Sequence, residues 1–311
     1  MAGPPHRKRP LRPTPEQRAK KAEARKRRLD RRTEERKEEQ VAAEKQRIDS
    51  LSFSRKLAWA SQHIERLGQT TNVWLGTNAY RLVPQTNAKT GRTIVRAQIS
   101  KPPPPEVALL IGDAVHVLRA TLDHLALELA VAFHRPQPLP PNLETASEFV
   151  IIGETDETRG AQKFDAAAGS KLKGIHPGAR KAIKGIQPYH RKTAYAEDPL
   201  WVIHELDRID KHRRLNLTAY AMGSVGIGAG PSGYAYIGHA HFEQLGHNGP
   251  VDNGTPVAIF TARNSNFQLN FTRQISLAEP SLPHAVFAVE TLTKLRDYLL
   301  VEVVPLLTPF V

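Results

Sequence analysis

The segment Gly112–Leu129, GDAVHVLRATLDHLALEL, sets Asp113, His116, Arg119, Asp123 and His124 among Leu, Val and Ala. Read as an α-helix, those five side chains fall within about 140° of arc. One stripe of a greasy helix then carries two imidazoles, two carboxylates and a guanidinium. Two kinds of chemistry suit such a stripe. In the first, Arg119 neutralises a phosphate while His124 moves a proton, with Asp123 or His116 orienting the imidazole. In the second, Arg119 and Asp123, at i and i+4, form a partly buried ion pair that knits two helices, and the histidines bond to neighbours.

A second constellation lies at 201–213, WVIHELDRIDKHR. Helical spacing gathers Trp201, His204, Arg208, Lys211 and His212 on one face, with cations for phosphate and an indole for stacking. Alternating signs along a helix also describe an ordinary solvated face. His204-Glu205 does not open a zincin motif, because Arg208 occupies the place of the second histidine. A metal-dependent hydrolase drawing ligands from His116, Asp123, His124, His204 and Asp210 is an alternative, since imidazole and carboxylate suit zinc, iron or manganese. The i, i+7 and i, i+8 spacings are too long for two ligands of one ion, so at most one comes from each end; the leading reading expects no metal and no cofactor. Gly228–Gly233 matches GxGxxG but precedes a strand-like stretch, which makes it a loop. His239, His241 and His247 read as strand-edge surface residues.

The string Arg119-Ala-Thr-Leu-Asp-His124 resembles the Arg-x4-His signature of the HEPN superfamily, helical domains associated with nucleic acids. The wider string GDAVHVLRATLDHL, with HELDRIDKHR, also resembles an uncharacterised bacterial family that carries both. The family likeness spans residues 51–311, and the HEPN signature only the central helix. Many HEPN proteins are metal-independent ribonucleases acting through the RNA 2′-hydroxyl across a homodimer. The resemblance therefore implies RNA as partner, Arg119 on the scissile phosphate and His124 as general base or acid. Ala120 departs from the pattern, because HEPN nucleases often have a polar residue there. The alternative within the same reading is a non-catalytic nucleic-acid-binding or interaction module with a structural polar network.

The elements that must position these residues read as α+β. Phe53, Leu57, Ala60, Ile64 and Leu67 mark an amphipathic helix that Gly68 is expected to stop. Tyr80–Val83 and Thr93–Ile99 read as a hairpin. Pro105 opens a helix over about 106–133 that is apolar nearly all round and so belongs inside the protein. Residues 135–187 read as loops with short helices. Asp198-Pro199 caps a helix to about Leu215, and residues 217–277 form an antiparallel β region with a turn at Asn253-Gly254. Pro283 is expected to open a last amphipathic helix.

The chain has 311 residues, 44 Lys+Arg against 31 Asp+Glu, a net charge of +13 and no cysteine. That excludes disulfide scaffolds, Cys-ligated zinc and thiol catalysis. The charge is uneven: residues 1–32 hold 13 Lys/Arg against 3 acids, and residues 33–50 hold 4 against 6. With no aromatic before Phe53, residues 1–50 cannot build a core and read as a solvated charged arm, helical from Thr14-Pro15 onward. Residues 51–311 form a single domain. Arg25, Lys26, Arg27, Arg28, Arg31 and Arg32 make the arm a candidate phosphate binder. No apolar run is long enough for a membrane span, and the N-terminus lacks a signal-peptide stretch, so a cytoplasmic location is expected.

Overall fold

Helix α1 (Pro15–Asp49) is built from Ala, Glu, Lys, Arg and Gln, which favour helix without needing a core. Residues 31–46 along it are exposed. The computed structural model describes residues 15–212, 215, 217–227, 239–245, 251–263, 267–277, 279 and 286–311. The chain divides into two units, 1–51 and 52–311.

The second unit is α+β, a helical core with antiparallel strands. Its first helix, α2 (Ser52–Gly76), buries Phe53, Leu57, Ala60, Ile64 and Leu67 and then continues through Thr71 and Trp74. Gly68 therefore does not end it. The +4, +3 burial stripe runs on past the glycine, and a Cβ at Gly68 would meet only Val289 Cγ1, at 3.8 Å. The hairpin strands are β1 (Tyr80–Thr86) and β2 (Arg92–Ile99).

Pro105 then opens α3 (Pro105–His134). From Val107 to Ala130 it buries residues on nearly every side, as a helix enclosed by others must. α2 packs along it, with Glu128 Oε1 accepting from the Ser52 N–H (3.1 Å) and hydroxyl (2.7 Å) at the start of α2. Three short helices follow, α4 (Pro141–Ala146), α5 (Glu157–Lys171) and α6 (Pro177–Gly185), then a 3₁₀ stretch at Pro188–Glu197. Asp198 caps α7 (Pro199–His212) by accepting from Leu200 N–H at 2.9 Å, and α7 packs on α3.

The strands β3 (Leu217–Ile227), β4 (His239–Leu245), β5 (Pro256–Arg263), β6 (Phe267–Leu277) and β7 (Val286–Phe287) occupy the expected β region and its C-terminal edge. They do not form one separate sheet. β1 and β2 join β5 and β4 in the order β1-β2-β5-β4, while β3, β6 and β7 form a second sheet. An isolated hairpin leaves both edges unpaired, and β5 covers one of them. Asn253-Gly254 forms the expected turn, with Gly254 at φ +92° and its N–H on Ala97 O. Helix α8 begins, among the described residues, at Ala288 and runs to Tyr298, then continues through a π turn at Leu299–Val303. The expected opening at Pro283 lies outside the described residues, as does the GxGxxG match at 228–233.

Candidate functional site

Arg119 is 6% exposed, held by α3 against the extended segment that follows α4. Its Nη2 donates to the Phe149 carbonyl at 2.9 Å and lies 3.0 Å from Asp123 Oδ1 and 3.3 Å from Glu148 Oε1. Asp123 Oδ1 also accepts from the Phe149 N–H at 3.0 Å, so residue 149 is gripped at both backbone groups. A buried cation is tolerated when its charge is met, and two carboxylates and a carbonyl gather here on Nη2. Burial pushes the Asp123 carboxyl up, against the opposing pull of Arg119 and the Phe149 N–H. Glu148 reaches outward to Lys171 Nζ at 2.7 Å.

Arg119 and Asp123 thus realise the i, i+4 ion pair. The proposed orienters of His124 are otherwise engaged, which corrects that part of the catalytic expectation. Asp123 bonds Arg119 and Phe149, and His116 places Nδ1 3.2 Å from Asp207 Oδ1. His124 is half-buried, and its Nδ1 is enclosed with no hydrogen-bond partner among the described residues. Arg119 Nη1 is in the same condition.

Helix α7 supplies the facing groups. Asp207 is buried and also takes Lys211 Nζ at 2.7 Å. Glu205, buried as well, holds Arg208 through two bonds of 2.8 and 2.6 Å. Arg208 and Lys211 are therefore neutralised by carboxylates of their own helix rather than left bare for phosphate. Trp201 is half-buried, edge-on to Tyr195 at 5.2 Å and tilted on His204 at 5.4 Å. A Cβ on Gly153 would come within 2.5 Å of its ring. The indole is packed into the body instead of standing free as a stacking platform. His212 is exposed. His204 is half-buried, and burial, aided by the charge of Arg119, pushes its imidazole below the ordinary histidine value.

Asp113, expected on the same stripe, points outward and lies 4.0 Å from His63 Nδ1 of α2. Asp210 abuts Gly112, where a Cβ would fall 2.6 Å from its Oδ1. Burial and the nearby charges of Asp207 and Asp113 raise its carboxyl. Among the described residues no three His, Asp or Glu side chains gather as metal ligands would, so the five alternative ligands do not form a centre.

Glu148, Gln187 and the glycines Gly112 and Gly153 were not expected at the site from the sequence. Glu148 sits in an irregular segment with no period to reveal it. Gln187 is buried and donates to the carbonyls of Val150 and Ile183 while accepting from Ile152 N–H, pinning the strand-like segment that carries Phe149. Gly112 inside a strong helix was the one signal to be had, since glycine there costs about 1 kcal/mol unless something must approach closely.

On α1, Arg31 and Arg32 are exposed, and Arg31 Nε lies 3.3 Å from Glu35 in an open i, i+4 pair. The side chains of Arg25, Lys26, Arg27 and Arg28 lie outside the described residues. No described helix is long and apolar enough to cross a membrane. No family model matches the chain, and neither curated proteins nor solved structures give a match.

Proposed function

We infer that the chain is an RNA-binding protein whose affinity resides in its basic N-terminal segment and whose Arg119 network is architectural. The observation that carries this reading is the occupied Nη2 of Arg119. A phosphate approaching Nη2 meets Asp123 and Glu148 at 3.0 and 3.3 Å, and would have to displace them. The first 32 residues, by contrast, hold 13 Lys/Arg against 3 acids, and Arg31 and Arg32 stand in solvent. Exposed cations of this kind release counterions from a polyanion, and that release drives non-specific binding. RNA, rather than DNA, and a homodimer as the assembly follow from the HEPN-like Arg-x4-His pattern.

Ribonuclease activity is a second reading, because Arg119 Nη1 and His124 Nδ1, on one helix, are both enclosed and lack partners among the described residues, so RNA could meet them only if the segment over them opens. A single set of assays separates the readings: RNA binding across a salt series, and RNA cleavage, by the full chain, by His124→Ala and by a chain lacking residues 1–32. The expected result is binding that falls steeply with salt, a much shallower slope after the deletion, and no cleavage. An unchanged slope would overturn the binding role of the arm. Cleavage lost in His124→Ala and indifferent to a chelator would replace the architectural reading with the catalytic one.

A further inference from the structure

The second unit, 52–311, carries a net charge of only +5, and that charge is not spread evenly. Residues 166–196 hold seven Lys/Arg and no Asp or Glu, so the rest of the unit is slightly acidic. This stretch runs from the end of α5 through α6 into the 3₁₀ segment Pro188–Glu197. Three of the seven cations are matched from elsewhere: Lys171, Lys184 and Arg191 lie 2.7, 2.7 and 2.8 Å from Glu148, Asp165 and Asp198. Lys173, Lys181 and Lys192 are exposed and have no carboxylate partner among the described residues. They differ in this from Arg208 and Lys211, which carboxylates of α7 neutralise.

Two further observations single out this surface. Lys192 is held at φ 52° and ψ −117°, a conformation that glycine adopts freely and an L-residue takes at a cost. A side chain kept at such a position points to what the side chain does. His190, two residues earlier, places Nε2 3.0 Å from the Lys184 carbonyl, which sets this turn against the C-terminal end of α6. At the other end of α6 three rings gather. His176 Nδ1 accepts from the Gly178 N–H at 3.0 Å, which fixes the imidazole across the start of the helix. His176 stacks on Phe310 at 5.4 Å, and Phe133 of α3 stands edge-on to it at 5.6 Å. Phe133 is 47% exposed, although a large apolar ring gains by burial. Cations that track phosphates beside rings that take unstacked bases are what a single strand of nucleic acid requires. A duplex would meet the cations but has no base free for the rings.

We propose that α6 and its flanks form a second RNA contact, on the folded body: Lys173, Lys181 and Lys192 take phosphates of a single strand, and Phe133 and His176 stack an unpaired base. The proposal deepens the RNA-binding reading and rests on it. The test is fluorescence anisotropy of the full chain, across a salt series, with a mixed-sequence single-stranded RNA oligonucleotide and with its duplex. Combining Lys173→Gln, Lys181→Gln and Lys192→Gly is expected to lower the single-strand salt slope by about 2. The Tm should stay level or rise, because no described ion pair is lost and the backbone at 192 is relieved. Phe133→Leu is expected to weaken single-strand binding about tenfold and to leave duplex binding unchanged, while Phe133→Tyr retains both. A slope unchanged in the triple variant overturns this surface and leaves the RNA reading standing. An unchanged affinity in Phe133→Leu, or an equal loss on single strand and duplex, also overturns it. No RNA binding by the parent chain overturns both readings together.

Discussion

Helices α1 and α3 are of similar length, 35 and 30 residues, and both carry guanidinium and carboxylate groups at i, i+4. In α1 the pair Arg31–Glu35 stands in water, with side chains 73% and 56% exposed. In α3 the pair Arg119–Asp123 is largely removed from it, at 7% and 33%. The same spacing therefore makes two different objects. The exposed pair is screened and contributes a few tenths of a kcal/mol at most. The buried pair is opposed by desolvation and is supported by Glu148 and the Phe149 backbone. One helix keeps its charge in water, and the other has its charge consumed by the fold.

The comparison is most directly broken at Arg119. Arg119→Ala strands Asp123 and Glu148 beside a cavity, and a loss of about 3–5 kcal/mol of stability is expected from denaturant unfolding. A loss under about 1 kcal/mol would mean that the network is not architectural. Gly112→Ala tests the α3–α7 contact from the other side. The new Cβ collides with Asp210, whose exposed carboxylate can swing away, so about 1 kcal/mol of destabilisation is expected.

His204 sharpens the comparison through pH. Its folded-state value is lowered by burial and by Arg119, so the unfolded chain takes up a proton before the folded one does. Stability from this group is fully present above 6.5 and is lost as pH falls below it toward the lowered value. The urea midpoint should drop over that window in the parent and drop less in His204→Asn. Equal drops would remove His204 as the cause. The smallest effect belongs to α1: Arg31→Gln with Arg32→Gln should leave the Tm within error, yet reduce the RNA-binding salt slope by about 1.4. A substantial fall in Tm would show that these arginines serve the fold.

Local patterns were legible where one element explains itself. Pro105, Asp198 and the 3.6-residue stripes place α2, α3 and α7, and alternation places the strands. Gly68 misled because glycine stops a helix only where the burial stripe also stops, and Thr71 and Trp74 carry it onward. The joining of β1 and β2 to β5 was not legible, since pairing across more than 150 residues leaves no periodic trace. At the site, the Arg119–Asp123 spacing was visible, but Glu148, Asp207 and the Phe149 backbone decide which groups are consumed by it.

The amino-acid order by itself determined that charge would concentrate in the first 32 residues, that no thiol chemistry exists, and that one apolar helix would carry five ionisable groups. Those are properties of composition and of a fixed helical period. Only the tertiary structure decided which of those groups face water and which face one another. Desolvation and pairing depend on what other segments bring to within about 4 Å, and those partners come from remote, irregular parts of the chain.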